Sequence, residues 1–343
     1  MVNISFFKKF NGSGKIVFIA VLLFSSCTQN SENENENMTH RITEEKTESK
    51  KIKPEDIVLE KDFLYDQYTL PDSYPYKDTT RMFQWDKIKQ GLFLLDSVQT
   101  EHSDWAILQN YKNMNGEAPL VKKFERNAYT RISDMMGVER FQSVPLFALN
   151  DTAVGERYGR DGFLVKYWGE EGRFAKVSTV SFDGEWLVPK RYLKRIGDTI
   201  VFRKAIFVDV TNQNIATLEK VDSKWLIRSM NPVTTGLHKP PYQQETPQGI
   251  FVVQEHKPRM IFLKDGLPKT GGYAPYASRF TCGAYLHGIP VNTSDENSKK
   301  TIEYSPTLGT TPHSHMCVRN ATSHAKFIYD WAVPQHTIVF VIG

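Results

Sequence analysis

The feature that most limits how this chain folds is a stretch that has little to fold with. Between Thr28 and Asp62 there is no aromatic residue, and Asn30-Ser31-Glu32-Asn33-Glu34-Asn35-Glu36 is low in complexity. Such a segment buries too little apolar surface to offset its ordering entropy, so a flexible linker is expected over 27–62. As a coil its ends average roughly 30–35 Å apart, a reach suited to a tether. The folded part is therefore expected from about residue 63, long enough for two domains of ordinary size.

What precedes the tether reads as an address. Lys8, Lys9 and Lys15 come before a short apolar run, Ile16 to Phe24, and then Ser25, Ser26 and Cys27. That order of basic, apolar and small residues marks a signal peptide, and the apolar run is about half the ~20 residues a membrane-crossing helix needs. Residues 1–26 resemble a bacterial lipoprotein signal, with Cys27 lipidated as the new N-terminus and Phe24 where Leu is more usual. The resemblance implies a membrane contact through that lipid and a place in the cell envelope, expected at the outer membrane facing the periplasm. Removing 1–26 takes away three lysines and no acids, so the net charge of +4 becomes +1. A near-neutral chain lacks the concentrated basic footprint of a nucleic-acid binder.

The remainder changes character along its length. Phe83, Ile88, Leu92 and Leu95 fall near a 3.6-residue period, and Phe124, Ala128, Ile132 and Met135 suggest a second short helix, so 63–140 is expected to be a helical segment. From Val144 the chain reads as short strands separated by turn signals such as Asn150-Asp151, Gly169 and Asp183-Gly184. A small barrel is expected over 141–200, and its ending Trp186-Leu-Val-Pro-Lys-Arg-Tyr-Leu resembles the close of a bacterial SH3-like domain. From 201 to 343 the pattern is again mostly β. A hairpin is expected around Asn212-Gln213-Asn214, a strand after Thr246-Pro-Gln-Gly, another ending at His287-Gly288, a helix over Ala321 to Ala332, and a last strand from Thr337.

With Cys27 lipidated, two of the three cysteines remain as free thiols, Cys282 and Cys317, too few for a disulfide scaffold, although pairing of the two in an oxidising compartment is an alternative reading. Cys317 lies in Ser314-His315-Met316-Cys317-Val318-Arg319-Asn320. A thiol becomes a useful nucleophile when imidazole generates or stabilises its thiolate, and His287 is available from the earlier strand.

Three pieces, in order, resemble the L,D-transpeptidases with a YkuD-type catalytic domain. They are Val208-Asp-Val-Thr-Asn-Gln213, Thr246-Pro-Gln-Gly-Ile-Phe251, and His287-Gly288 with Ser314-His315-x-Cys317-Val318-Arg319. The resemblance covers about 203–343. It implies a mostly β (α+β) fold: a β-sandwich catalytic domain with a long active-site loop. It also implies Cys317 as nucleophile, His287 as base and the Gly288 carbonyl as orienter of the imidazole. Backbone N–H groups at Cys317 and Met316 would receive the oxyanion, His315 and Ser314 would shape the site, and Arg319 and Asn320 would bind substrate. The implied substrate is the stem peptide of peptidoglycan, cross-linked 3→3 through a Cys thioester with a carboxypeptidase side activity; the implied chemistry uses no cofactor and no metal.

Two departures from the family pattern stand out. Met316 occupies a position where the family nearly always has Gly, either because that position has a positive φ or because a side chain there narrows the cleft. The gap from His287 to Ser314 is also long, and Val291 to Thr311 is expected to form a lid. Three other readings compete. His313, His315, His324 and Cys317 are zinc-type residues, but their spacing lacks two convincing ligand pairs. Cys317 alone would read as an inert core thiol, as Cys282 does. A weakened domain, with Met316 as the cause, would leave a peptidoglycan-binding or scaffold lipoprotein. The thiolate reading carries its own expectation: Cys317 should titrate below the free-cysteine value of about 8.5, helped by a helix beginning just after it.

Overall fold

The structure, a computed structural model, describes residues 53–293 and 300–343. The signal, Cys27 and nearly all of the expected linker lie outside the described residues. The described residues form one compact unit, built from three main sheets and two α-helices. Among the described residues no helix is long and apolar enough to cross a membrane.

The first sheet has six strands in the order Leu59–Lys61, Lys224–Pro232, Asn214–Val221, Lys204–Asp209, Thr337–Ile342 and Gly249–Val252. Its central strands read as unbroken apolar runs because both faces are covered. Period two sends alternate side chains to opposite faces. Ala205, Phe207, Ile338 and Phe340 enter one core, while Ile206, Val208, Val339 and Val341 enter the other. Helix α1, Trp85–Glu101, closes the first core with Ile88, Leu92, Leu95 and Val98. It comes close: a Cβ at Gly91 would sit 2.7 Å from the Phe207 ring, so glycine sets the spacing. The second core faces the sheet Glu255–Leu263, Thr270–Thr281, Ala284–His287 and Val318–Arg319, against which helix α2, Thr322–Trp331, also packs.

The third sheet is antiparallel, in the order Glu185–Pro189, Phe174–Thr179, Leu164–Glu171, Trp105–Leu108 and Leu193–Gly197, with a 3-10 turn at Lys190–Tyr192 before the last strand. It fuses to the second sheet at Gly162. There φ is +90 and a Cβ would lie 2.0 Å from the Phe280 carbonyl oxygen, so no side chain fits.

Three expectations change here. The linker expected through residue 62 ends sooner: Ile57 is buried and Leu59–Lys61 pairs in parallel with Lys224–Pro232, because an apolar edge was available to cover. The second helix expected in 63–140 is a hairpin, Phe124–Arg126 with Ile132–Asp134. Asn127 Oδ1 accepts from the N–H groups of Tyr129 and Arg131, an Asx turn that competes with helix, and Phe124 and Met135 remain exposed. The barrel-like sheet expected over 141–200 takes its strand Trp105–Leu108 from further upstream.

Candidate active site

His287 ends the strand Ala284–His287, which pairs in parallel with Val318–Arg319: Leu286 opposite Val318 and His287 opposite Arg319. This pairing sets Cys317 beside Tyr285, two residues before the histidine. The His287 and Cys317 side chains line one cavity of about 860 Å³. The His287 ring is buried, and its Nδ1 lies 2.6 Å from the Gly288 carbonyl oxygen. A carbonyl only accepts, so Nδ1 carries the proton and Nε2 is left with its lone pair. The Asn320 N–H caps the His287 carbonyl at 2.9 Å. Gly288 leaves no room for a Cβ, which would meet Thr322 Oγ1 at 2.8 Å and Pro275 at 2.9 Å.

The electrostatics differ from the thiolate expectation. Burial pushes the Cys317 thiol up to about 11, with the Tyr285 backbone N–H and the Arg319 charge pulling the other way. Burial, with a smaller push from Arg319, lowers His287 to about 4 against the opposing Gly288 carbonyl. The resting pair is therefore a neutral thiol and a neutral imidazole. No helix terminus relieves this, because two strand residues follow Cys317 and α2 begins only at Thr322. In the resting fold Cys317 Sγ contacts the Gly283 carbonyl at 3.5 Å.

The loop before Cys317 is held from several sides. Met316 has φ +87, so the first explanation for the family's glycine applies: the position demands the left-handed region. A side chain there costs about 1 kcal/mol or more. The second explanation does not apply, since the Met316 side chain packs on the second core and does not line the cavity. Thr246 Oγ1 donates to the Met316 carbonyl at 2.8 Å and itself accepts from the Gly236 N–H at 2.8 Å. Because carbonyl and N–H point oppositely across a trans peptide, fixing that carbonyl also fixes the direction of the Cys317 N–H. Ser314 Oγ donates to the Cys317 carbonyl, and the Ser314 N–H reaches the Thr235 carbonyl at 3.0 Å. Thr235 is in turn held by Gln213, whose Oε1 accepts the Thr235 N–H at 2.9 Å and whose Nε2 donates to Thr235 Oγ1 at 2.7 Å. The three separated sequence pieces thus meet on one loop.

The remaining sequence-derived residues divide. Arg319 lines the cavity, and its Nε is buried without a hydrogen-bond partner. His315 lines it too and reaches Asp265 at 3.0 Å across the mouth. Asn320, expected to bind substrate, is fully buried away from the cavity; its side chain donates to the Val318 carbonyl and lies 3.1 Å from His324 Nδ1. Its role is to brace the strand end, because its backbone and side chain are both spent internally. Of the segment 291–311, expected to form a lid, Asn292 lines the cavity. Residues 294–299 lie outside the described part, and beyond them Thr307 and Gly309 bond to Thr234 and Val233. Much of the cavity wall comes from the hairpin Glu255–Leu263 and Thr270–Thr281. Cys282 and Cys317 are both unpaired thiols.

Sequence reasoning missed Tyr111 and Lys112, which reach the cavity from upstream, and Tyr285, Lys257 and Arg259. Nothing in a polar loop such as Gln109-Asn110-Tyr111-Lys112 signals a distant cavity; only the alternation along Glu255–Leu263 hinted at a face.

Residues 203–341 match the family described as YkuD, the L,D-transpeptidase catalytic domain. No match emerged among curated proteins. Among solved structures the chain is similar to an L,D-transpeptidase from Mycobacterium smegmatis, at 15% identity and TM-score 0.33, covering 52% of this chain and 82% of that one. It is similar to L,D-transpeptidase 3 from Mycobacterium tuberculosis, in complex with a faropenem-derived adduct, at 15% identity and TM-score 0.33, covering 54% and 93%. The chain spans about half, 51%, of a fused Zn-dependent amidase/peptidase/peptidoglycan-binding protein from Clostridium acetobutylicum, at 18% identity, TM-score 0.28 and 40% coverage of this chain.

Proposed function

We propose that this protein is a peptidoglycan L,D-transpeptidase that works through a Cys317 acyl-enzyme. The observation that carries the reading is the bracing of the Cys317 loop, with Thr246 on the Met316 carbonyl, Ser314 on the Cys317 carbonyl and Gln213 holding Thr235 behind Ser314, next to a histidine whose Nδ1 is committed to the Gly288 carbonyl.

In the proposed reaction Cys317 Sγ attacks the carbonyl carbon of the third stem residue, a diamino acid, as its proton passes to His287 Nε2. The carbonyl oxygen becomes an oxyanion facing the Cys317 and Met316 N–H groups. Collapse expels terminal D-alanine, whose nitrogen takes the proton back from His287, and leaves a thioester. The side-chain amine of a second stem then attacks, passes its proton through His287 to the departing sulfur, and gives the 3→3 cross-link. Water as acceptor gives carboxypeptidase activity. Since thiol and imidazole are both neutral at rest, proton transfer accompanies attack rather than preceding it.

The reading extends to location. With residues 1–26 removed and Cys27 lipidated, the enzyme would sit in the envelope, at the outer membrane facing the periplasm, on a tether long enough to reach the wall. We also read the third sheet as SH3-like. Its strand order, with a 3-10 turn before a final strand that returns beside the first, supports that reading.

The test is intact mass of the full chain incubated with a stem tetrapeptide or a carbapenem. A covalent adduct that disappears in Cys317→Ala is expected; no adduct with either compound would refute the reading.

A further inference from the structure

The cavity is lopsided in charge. Lys112, Lys257, Arg259, Lys264 and Arg319 line it, against one carboxylate, Asp265. Lys257 is paired with Glu255 at 3.1 Å, and Asp265 is taken by His315. Among the described residues, Lys112, Arg259, Lys264 and Arg319 have no carboxylate partner. Unpaired cations around one concave surface focus potential and favour an anionic ligand.

Lys112 differs from an ordinary surface lysine in how it is held. Its backbone is left-handed at φ +53, as is that of Asn113 at φ +56, and such strain persists only where the surroundings over-determine it. The Lys112 N–H is bonded to Gln142 Oε1 at 2.8 Å, and the Asn110 N–H to buried Asp161 at 2.8 Å. Tyr111 Oη lies 3.2 Å from Tyr285 Oη, and the Arg279 guanidinium stacks 4.3 Å from the Tyr111 ring. Arg279 is itself locked to Asp161 at 2.6 Å. A turn that follows a strand of the upstream sheet therefore brings a lysine with a fixed backbone to a cavity whose proposed nucleophile belongs to another sheet.

We propose that the turn Asn110–Asn113, with Arg259 and Arg319, forms an anion subsite of the catalytic cavity. It makes the site prefer a donor stem whose internal carboxyl groups are ionised over the same stem carrying carboxamides. The inference rests on the transpeptidase reading for its ligand and reaches beyond it in naming the ionisation state that is selected. It also assigns the upstream region a part in substrate choice.

The experiment uses two synthetic stem tetrapeptides, one with free internal carboxyl groups and one with those groups as carboxamides. Acylation of the full chain is followed by intact mass as a function of peptide concentration. Binding to Cys317→Ala is measured in parallel by calorimetry, which needs no chemistry. The free acid is expected to show the lower KM and the tighter binding. Lys112→Gln and Arg259→Gln, both at exposed positions, are each expected to raise KM for the acid about threefold and so to narrow the preference for acid over carboxamide. The preference is expected to shrink at high salt. Equal binding of acid and carboxamide, or variants that weaken both alike, would overturn the inference. Absence of any adduct while the binding preference persists would overturn the transpeptidase reading and leave the anion subsite standing.

Discussion

Cys282 and Cys317 are alike in every property usually used to rank thiols, yet only one is placed to react. Both are buried, both are free, and burial pushes both up to about 11. Cys282 sits at φ +40 in the turn between two strands, its N–H tied to Asp161 at 3.0 Å and its Sγ beside Thr281 Oγ1 and the Gln142 carbonyl. It faces the seam between sheets, and no histidine is near it in the hydrogen-bond network. Cys317 opens on the cavity that His287 and Arg319 also line. The proposed reactivity of Cys317 rests on neighbours and access, not on a depressed resting titration. The helix-dipole and thiolate expectations differ from the structure because two strand residues separate Cys317 from a helix that begins only at Thr322, and because burial raises the thiol.

The comparison breaks most sharply by deletion. Cys317→Ala is expected to abolish covalent adduct formation, while Cys282→Ala retains it, measured by intact mass under identical conditions. Loss in both would mean that the two thiols act together.

The next effect concerns the seam around Cys282. Asp161 is fully buried and accepts from Arg279, Gln254, Asn110 and the Cys282 N–H. Asp161→Ala leaves the Arg279 charge half-compensated and is expected to cost about 3–5 kcal/mol in denaturant unfolding. A loss under 1 kcal/mol would show that the seam is replaceable.

Acid should then act on the histidine side. His287 falls from 6.5 to about 4 and His324 from 6.5 to about 3, both by burial. Between the lower and the ordinary value the unfolded chain binds more protons, so this stability is complete above pH 6.5 and drains as pH falls towards 4. The slope from the two rings together is at most about 2.7 kcal/mol per pH unit. His324→Asn should flatten the fall in melting temperature across that window; an unchanged slope would contradict the burial.

Thr246 tests the loop around Cys317. Thr246→Val keeps the shape but strands the Gly236 N–H and the Met316 carbonyl, and is expected to slow acylation roughly 10- to 100-fold in kcat, at about 1–3 kcal/mol. Thr246→Ser should restore most of the rate. Equal rates in all three would remove Thr246 from the account.

The smallest effect lies at Met316. Outside left-handed positions alanine is more stable than glycine, whereas at φ +87 Met316→Gly should exceed Met316→Ala by about 1 kcal/mol in urea unfolding. The reverse order would mean that the loop relaxes away from that backbone angle.

What could be read beforehand follows from how local the signal is. The strands Lys204–Asp209 and Thr337–Ile342, the hairpin at Gln213 and both α-helices announce themselves by period, because each buries a face that its own residues encode. That His287, Gly288 and Cys317 would come together was legible from the motifs that resemble the family, and the pairing of Ala284–His287 with Val318–Arg319 brings them to one cavity. The segment 124–134 was misread since four apolar residues at helical spacing do not outweigh one Asn127 that caps its own turn. Asn320 looked like a substrate contact from its neighbours, but its direction depends on His324 one helical turn later. Tyr111 and Lys112 were invisible, since their meaning arises only when Asp161 and Arg279 bring two sheets together.

Of two equally buried thiols, Cys317 is the one expected to carry the acyl group. Peptide mapping by mass spectrometry, after the full chain has reacted with a stem tetrapeptide, measures this directly. The account expects an acyl group on Cys317 alone, lighter than the added peptide by its terminal D-alanine, and none on Cys282. A label on Cys282, or an intact peptide retaining D-alanine on either thiol, would contradict it.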